Sequence, residues 1–135
     1  MAAHGIHHVG VAVADLDAAR ERYVRLFGAV VEAEERLEEQ GVLAVALQVG
    51  AGRVELVSPL AEDTPVGRFL AKRGEGVHHV AYAVPDLRAE LARLAADGAT
   101  LIDESPRHGL YGLVAFIHPE SVVGVLTELV ESEGT

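Results

Sequence analysis

The chain has 135 residues, room for one compact domain or two small fused modules. Its 21 acidic residues outnumber the 11 basic ones, giving a net charge of −10; nucleic acid and anionic membranes are disfavoured as partners, because no basic field exists to release counterions. The absence of cysteine rules out disulfides and thiolate metal sites, and 50% hydrophobic residues with only 4% aromatics imply a core of Val, Leu and Ala.

No signal-peptide pattern opens the chain and no apolar run approaches membrane-spanning length, so a soluble, cytoplasmic protein is expected. The first strand is read from the alternation over Ile6 to Ala14. Asp15 follows as a helix N-cap, since its carboxylate can accept the orphan N–H bonds of a first turn. Leu16, Ala19, Tyr23 and Leu26 give the helix a buried stripe, and Gly28 suits the left-handed residue that ends it. Strands are expected over 29–35, 41–49 and 53–57, with GAG at 50–52 as a hairpin turn. Thr64 then Pro65 start a short linker helix of about 65–73, stopped by Gly74. A strand, an Asp86 cap and a helix carrying Leu87, Leu91 and Leu94 come next, ending at Gly98. The last strands are expected over 100–104, 111–118 and 124–130, with HPESVVG at 118–124 as a looser hairpin.

The second half of the chain repeats the first. HHVGVAVADL, from His7, recurs as HHVAYAVPDL from His78. Val45-Ala46-Leu47 parallels Val114-Ala115-Phe116, and Glu55-Leu56-Val57 parallels Glu128-Leu129-Val130. Each copy reads βαβββ and is too small to bury its own apolar face, so the two must pack together. The expected fold class is α+β: one domain spanning 1–135, made of two modules at about 5–58 and 77–131 joined by the linker helix.

Period-two alternation sorts the paired histidines. His8 shares a strand face with Gly10, Ala12 and Ala14, whose small side chains leave room for something else. His7 shares the other face with Val9, Val11 and Val13, which suits packing against a helix. His79, with Ala81 and Ala83, is the counterpart of His8, and His78 that of His7. Glu55 and Glu128 sit at matched positions in RVELV and LTELV, where an apolar setting makes a carboxylate costly unless something compensates it. Taken singly, a strand Glu or His is ordinarily a solvent-facing or hydrogen-bonded residue. Four at matched positions call for one explanation, and two imidazoles with two carboxylates suit a divalent ion of the Mn, Co, Ni, Zn or Fe(II) type. On an octahedral ion they leave two positions for water or a chelating substrate. His7 and His78 are read as structural or supporting, and His4, His108 and His118 as loop or hairpin residues.

With these ligands, the doubled βαβββ pattern resembles the vicinal oxygen chelate superfamily. HHVGVAVADL, EQGV at 39–42, VELVSPLAEDTPVGRFLAKRGEGVHHVAYAV and FIHPESVVGVLTEL resemble the methylmalonyl-CoA epimerase family over essentially the whole chain. The resemblance implies a cup-shaped curved mixed sheet and a homodimer. It also implies one divalent metal per chain, Co2+ or Mn2+ first and Ni2+ or Zn2+ next, on His8, Glu55, His79 and Glu128. The implied activity interconverts the C2 epimers of methylmalonyl-CoA through a metal-stabilised enolate, with Glu128 as ligand and base. For an acyl-CoA substrate the local basic candidates are Arg68, Lys72 and Arg73 in the linker helix, and Arg107 with His108.

The chain departs from the family pattern in three places. Ala44 stands where some members carry a glutamate proposed as the second base. Glu120 replaces a lysine in HPES, and HGLYGL brings bulkier Leu110 and Tyr111 into a glycine-rich loop. Two other readings stay open on sequence alone: another metal enzyme on this scaffold, glyoxalase-like or a ring-cleaving dioxygenase, and a metal-free small-molecule-binding protein. A second carboxylate argues against the dioxygenase branch, and the full ligand set against a metal-free binder.

Overall fold

The computed structural model describes residues 3–133. Its elements run β1 (Gly5–Ala12), α1 (Leu16–Phe27), β2 (Val30–Leu37), β3 (Val42–Val49), β4 (Gly52–Pro59), α2 (Pro65–Arg73), β5 (Gly76–Val84), α3 (Leu87–Ala96), β6 (Arg107–Gly109), β7 (Gly112–Ile117) and β8 (Thr127–Glu131). They group into two compact units. Residues 8–78 form the first; the segment up to His7 and the chain from His79 onward form the second.

Each unit repeats one construction. In the first, β1 lies parallel to β4, which pairs antiparallel with β3, and β3 with β2. In the second, β5 lies parallel to β8, β8 antiparallel to β7, and β7 to β6. A parallel pair needs a crossover, and α1 and α3 supply part of it. Each helix closes a core on one sheet face: Val13, Leu16, Ala29, Val45, Leu47 and Leu56 in the first unit, and Val84, Leu87, Leu91, Ala115, Ile117 and Leu129 in the second. Leu47, Leu56 and Leu87 have no exposed surface, and each stabilises the fold by about 2 kcal/mol through the apolar area it removes from water.

The helix ends follow the sequence. Asp15 accepts from the Ala18 N–H and Asp86 from the Ala89 N–H, both at 3.1 Å. Gly28 adopts φ 66°, where a side chain would be strained. Thr64 Oγ1 caps α2 by accepting from the Gly67 N–H at 3.0 Å, with Pro65 in the first turn, and Gly74 ends the helix.

The structure corrects three expectations. Segment 100–104 is not a strand. The N–H groups of Ile102 and Asp103 both donate to the Phe116 carbonyl, while the Asp103 carboxylate accepts from the Phe116 N–H at 2.9 Å. That side chain occupies a ladder position, only a bridge between Leu101 and Ile117 remains, and pairing resumes at Arg107, after Pro106. Leu26 is exposed rather than part of the α1 stripe. At 3.6 residues per turn it lies about 80° from Leu16, on the margin of the buried arc. Finally, Ala46 faces Glu55 and Phe116 faces Glu128 across their strands, so Ala46 matches Phe116 and the sequence pairing of these segments is out by one.

Candidate functional site

The face of each unit opposite its helix carries the chemistry. In the first unit Gly10 on β1 pairs with Glu55 on β4, which in turn pairs with Ala46 on β3. Paired residues share a face, as do residues two apart along a strand, so His8, Gly10, Ala12, Ala44, Ala46, Glu55 and Val57 all project to the same side. His8 Nε2 lies 2.9 Å from Glu55 Oε1, and both side chains are buried. Small residues beside the pair give the longer side chains space, and Val57 and Ala12 keep the surroundings apolar.

The second unit repeats the arrangement by itself. Ala81 on β5 pairs with Glu128 on β8, which pairs with Phe116 on β7. His79 Nε2 lies 3.3 Å from Glu128 Oε1, again with both side chains buried. The Phe116 ring meets the His79 imidazole edge to face at 5.5 Å, which fixes the ring plane. Four residues singled out by duplication thus form two buried His–Glu pairs in matching registers. Imidazole nitrogens and carboxylate oxygens are the donors a borderline or hard divalent ion takes, and a cation offsets the cost of burying two carboxylates.

The other candidates divide. His7 is buried against Tyr111, ring centroids 4.7 Å apart, and not against a helix as its face suggested. Its counterpart His78 meets the Phe69 ring of α2 edge to face at 4.9 Å. Arg68, Lys72 and Arg73 are exposed on α2; Arg68 pairs with Asp63 at 2.7 Å and Arg73 lies over the Phe69 ring. Arg107 pairs with Val114, which pairs with Val130, so it shares the face of Glu128 and His79. Its guanidinium lies over Phe116 and contacts Asp103 at 3.2 Å. His108 projects to the opposite face and is exposed. His118 caps the turn Pro119–Val122 by accepting from the Glu120 N–H, and His4 reaches the Ser132 carbonyl, so both are structural.

One residue on this face was not singled out from sequence. Glu35 on β2 pairs with Ala44, and Ala44 with Val57, so Glu35 projects to the side of His8 and Glu55. It occupies in the first unit the register that Arg107 holds in the second, through Val57 and Ala44 in place of Val130 and Val114. The run VVEAEERL reads as a solvated edge strand; the alternation of Ala33, Glu35 and Leu37 was the available signal.

A family model described as the Glyoxalase/Bleomycin resistance protein/Dioxygenase superfamily matches residues 7–116. An ethylmalonyl-CoA/methylmalonyl-CoA epimerase of Cereibacter sphaeroides is 36% identical over 127 residues, covering 92% of this chain and 95% of the relative. An uncharacterised Bacillus subtilis protein, YqjC, is 39% identical over 130 residues, 96% of this chain and 93% of its own. Among solved structures, a methylmalonyl-CoA epimerase in complex with methylmalonyl-CoA and NH4+ matches with TM-score 0.93 at 40% identity, over 97% of this chain and 96% of that one. The methylmalonyl-CoA epimerase of Mycobacterium tuberculosis matches with TM-score 0.91 at 40% identity, over 96% and 88%. The paired βαβββ units are therefore the vicinal oxygen chelate fold.

Proposed function

The chain belongs to the glyoxalase/bleomycin resistance protein/dioxygenase superfamily, and from that premise we propose that it is a metal-dependent epimerase interconverting the C2 epimers of methylmalonyl-CoA. The observation that carries this reading is the repeated buried His–Glu pair in a chain whose relatives named as methylmalonyl-CoA epimerases match nearly its full length. In this reading His8, Glu55, His79 and Glu128 together hold one divalent ion, Co2+ or Mn2+ before Ni2+ or Zn2+. Their donor types and their burial support it.

The C2 hydrogen of methylmalonyl-CoA lies between a thioester and a carboxylate and is too weakly acidic for unaided removal at neutral pH. A bound divalent ion supplies Lewis-acid stabilisation of the charge that develops on the thioester oxygen, worth several kcal/mol. Glu128 moves the proton at one face of C2 besides holding the ion. The buried aliphatic side chains of this face keep water from the enolate. Arg107, the cation on the face of Glu128, meets the substrate's free carboxylate. Arg68, Lys72 and Arg73 on α2, with His108, serve the CoA phosphates against an otherwise acidic surface.

Leu26 and Phe27 at the end of α1 and Val30 and Val31 at the start of β2 are each exposed, and this run of exposed apolar residues supports a homodimer. Among the described residues no helix is long and apolar enough to cross a membrane, and a cytoplasmic location fits that.

The test is solvent exchange. Metal-loaded protein in D2O should place deuterium at C2 of methylmalonyl-CoA and convert one epimer into the other. Metal-loaded, substrate-saturated protein that leaves C2 unlabelled would refute the activity.

A further inference from the structure

Inversion at C2 requires a proton to leave one face of a planar intermediate and another to arrive on the opposite face, which takes two acid/base groups. Glu128 is one. Ala44, at the position where some family members carry a glutamate, has no exposed surface and no group able to carry a proton. In the first unit the four strands present Ala33, Glu35 and Leu37, then Val42, Ala44, Ala46 and Gln48, then Arg53, Glu55, Val57 and Pro59, then His8, Gly10 and Ala12 to the site side. Two carboxylates besides Glu55 reach this side: Glu32, at the bulge of β2, accepts from Arg53 Nε at 3.2 Å, and Glu35 is the one in register with Ala44. It sits directly across the ladder from Ala44, half-buried, two strands from Glu55. Two strand spacings are about 10 Å, and β3 between them presents the small Ala44 and Ala46 to this side, which leaves room for an acyl group above β3, between Glu35 on β2 and the residues on β4.

We propose that Glu35 is the second proton carrier, serving the C2 face that Glu128 does not; the proposal rests on the epimerase reading above. In the forward step the Glu35 carboxylate takes the C2 proton. The C–H bond breaks, its electron pair passes into the thioester enolate, and an O–H bond forms on Glu35. Protonated Glu128 then returns a proton to the other face, so one proton leaves and one arrives. The carboxylate that position 44 lacks is thus supplied from the neighbouring strand, where the same face is reached one ladder step away. The first unit supplies an acid/base group at the register where the second supplies the cation Arg107.

The experiment compares wild-type and Glu35→Gln proteins, both metal-loaded, with each epimer of methylmalonyl-CoA separately in D2O. Deuterium at C2 is read by mass spectrometry and bound metal by elemental analysis. The expected result is asymmetric. Glu35→Gln keeps its metal, still exchanges C2 of one epimer with retention, and loses exchange of the other epimer and net inversion by about 100-fold or more. Unchanged inversion would overturn the assignment. So would equal loss of exchange from both epimers, or loss of the metal, since each would make Glu35 a structural or positioning residue. A wild-type protein that exchanges neither epimer would overturn the epimerase reading itself, and the assignment with it.

Discussion

Glu55 lies directly across a parallel ladder from Gly10, two residues past His8, and Glu128 stands in the same relation to Ala81 and His79. The repeat is therefore one of geometry as well as of letters. In each unit the crossover helix fixes a parallel pair, the parallel register sets the carboxylate beside the imidazole, and a small residue opposite leaves the pair its space.

Two buried carboxylates would make the proposed ion a stabilising ligand. A ligand that binds only the folded state at a hundredfold excess over its Kd adds about 2.7 kcal/mol. For a chain of this size that is a rise in Tm on the order of 8 °C. Thermal unfolding with Co2+ or Mn2+ and then with a chelator should show this difference; identical curves would contradict it.

Arg107 shares the face of Glu128 without being one of the four proposed metal ligands. Arg107→Ala should raise KM for methylmalonyl-CoA about tenfold, the loss of one charge-assisted hydrogen bond, while bound metal is unchanged. Steady-state kinetics beside elemental analysis separates this from damage to the metal site. An unchanged KM would remove Arg107 from substrate binding.

Glu90 is buried on α3, where Arg93 reaches it with both Nε and Nη2. The hydrogen bond to the Glu90 carboxylate holds the Arg93 pKa above its ordinary value. Arg93→Ala leaves the Glu90 carboxylate buried without that partner and should lower the urea unfolding midpoint. Arg88→Ala, an exposed residue on the same helix, should change stability by less than about 0.5 kcal/mol.

Gly67 in the first turn of α2 lies so close to the carbonyl oxygens of Ala61 and Glu62 that a Cβ would collide with both. Gly67→Ala must displace backbone and should cost at least about 1 kcal/mol, despite alanine's higher helix propensity. A stabilised variant, by denaturant midpoint, would contradict the close approach.

Most of this was legible in the sequence where local chemistry decides. Asp15, Asp86 and Thr64 cap helices because short polar side chains satisfy first-turn N–H groups whatever the tertiary context. His8, Glu55, His79 and Glu128 stood out because each recurs at its counterpart's place. What failed depends on pairing between distant segments. Asp103 spends its carboxylate on the Phe116 N–H and so interrupts a strand that composition alone favours. Phe116 matches Ala46 only once the ladders are known. Glu35 looks like one charge among several in VVEAEERL, and only its partner Ala44 shows which side it takes.

The most direct test of the account is the metal content of protein purified without chelator, for the wild type beside His8→Ala and His79→Ala. One divalent ion per chain in the wild type, lost by at least about tenfold in each variant with the circular dichroism spectrum unchanged, is the predicted result. Two ions per chain, each lost with only its own histidine, or none even after soaking in Co2+ or Mn2+, would contradict a single ion shared by the two half-sites.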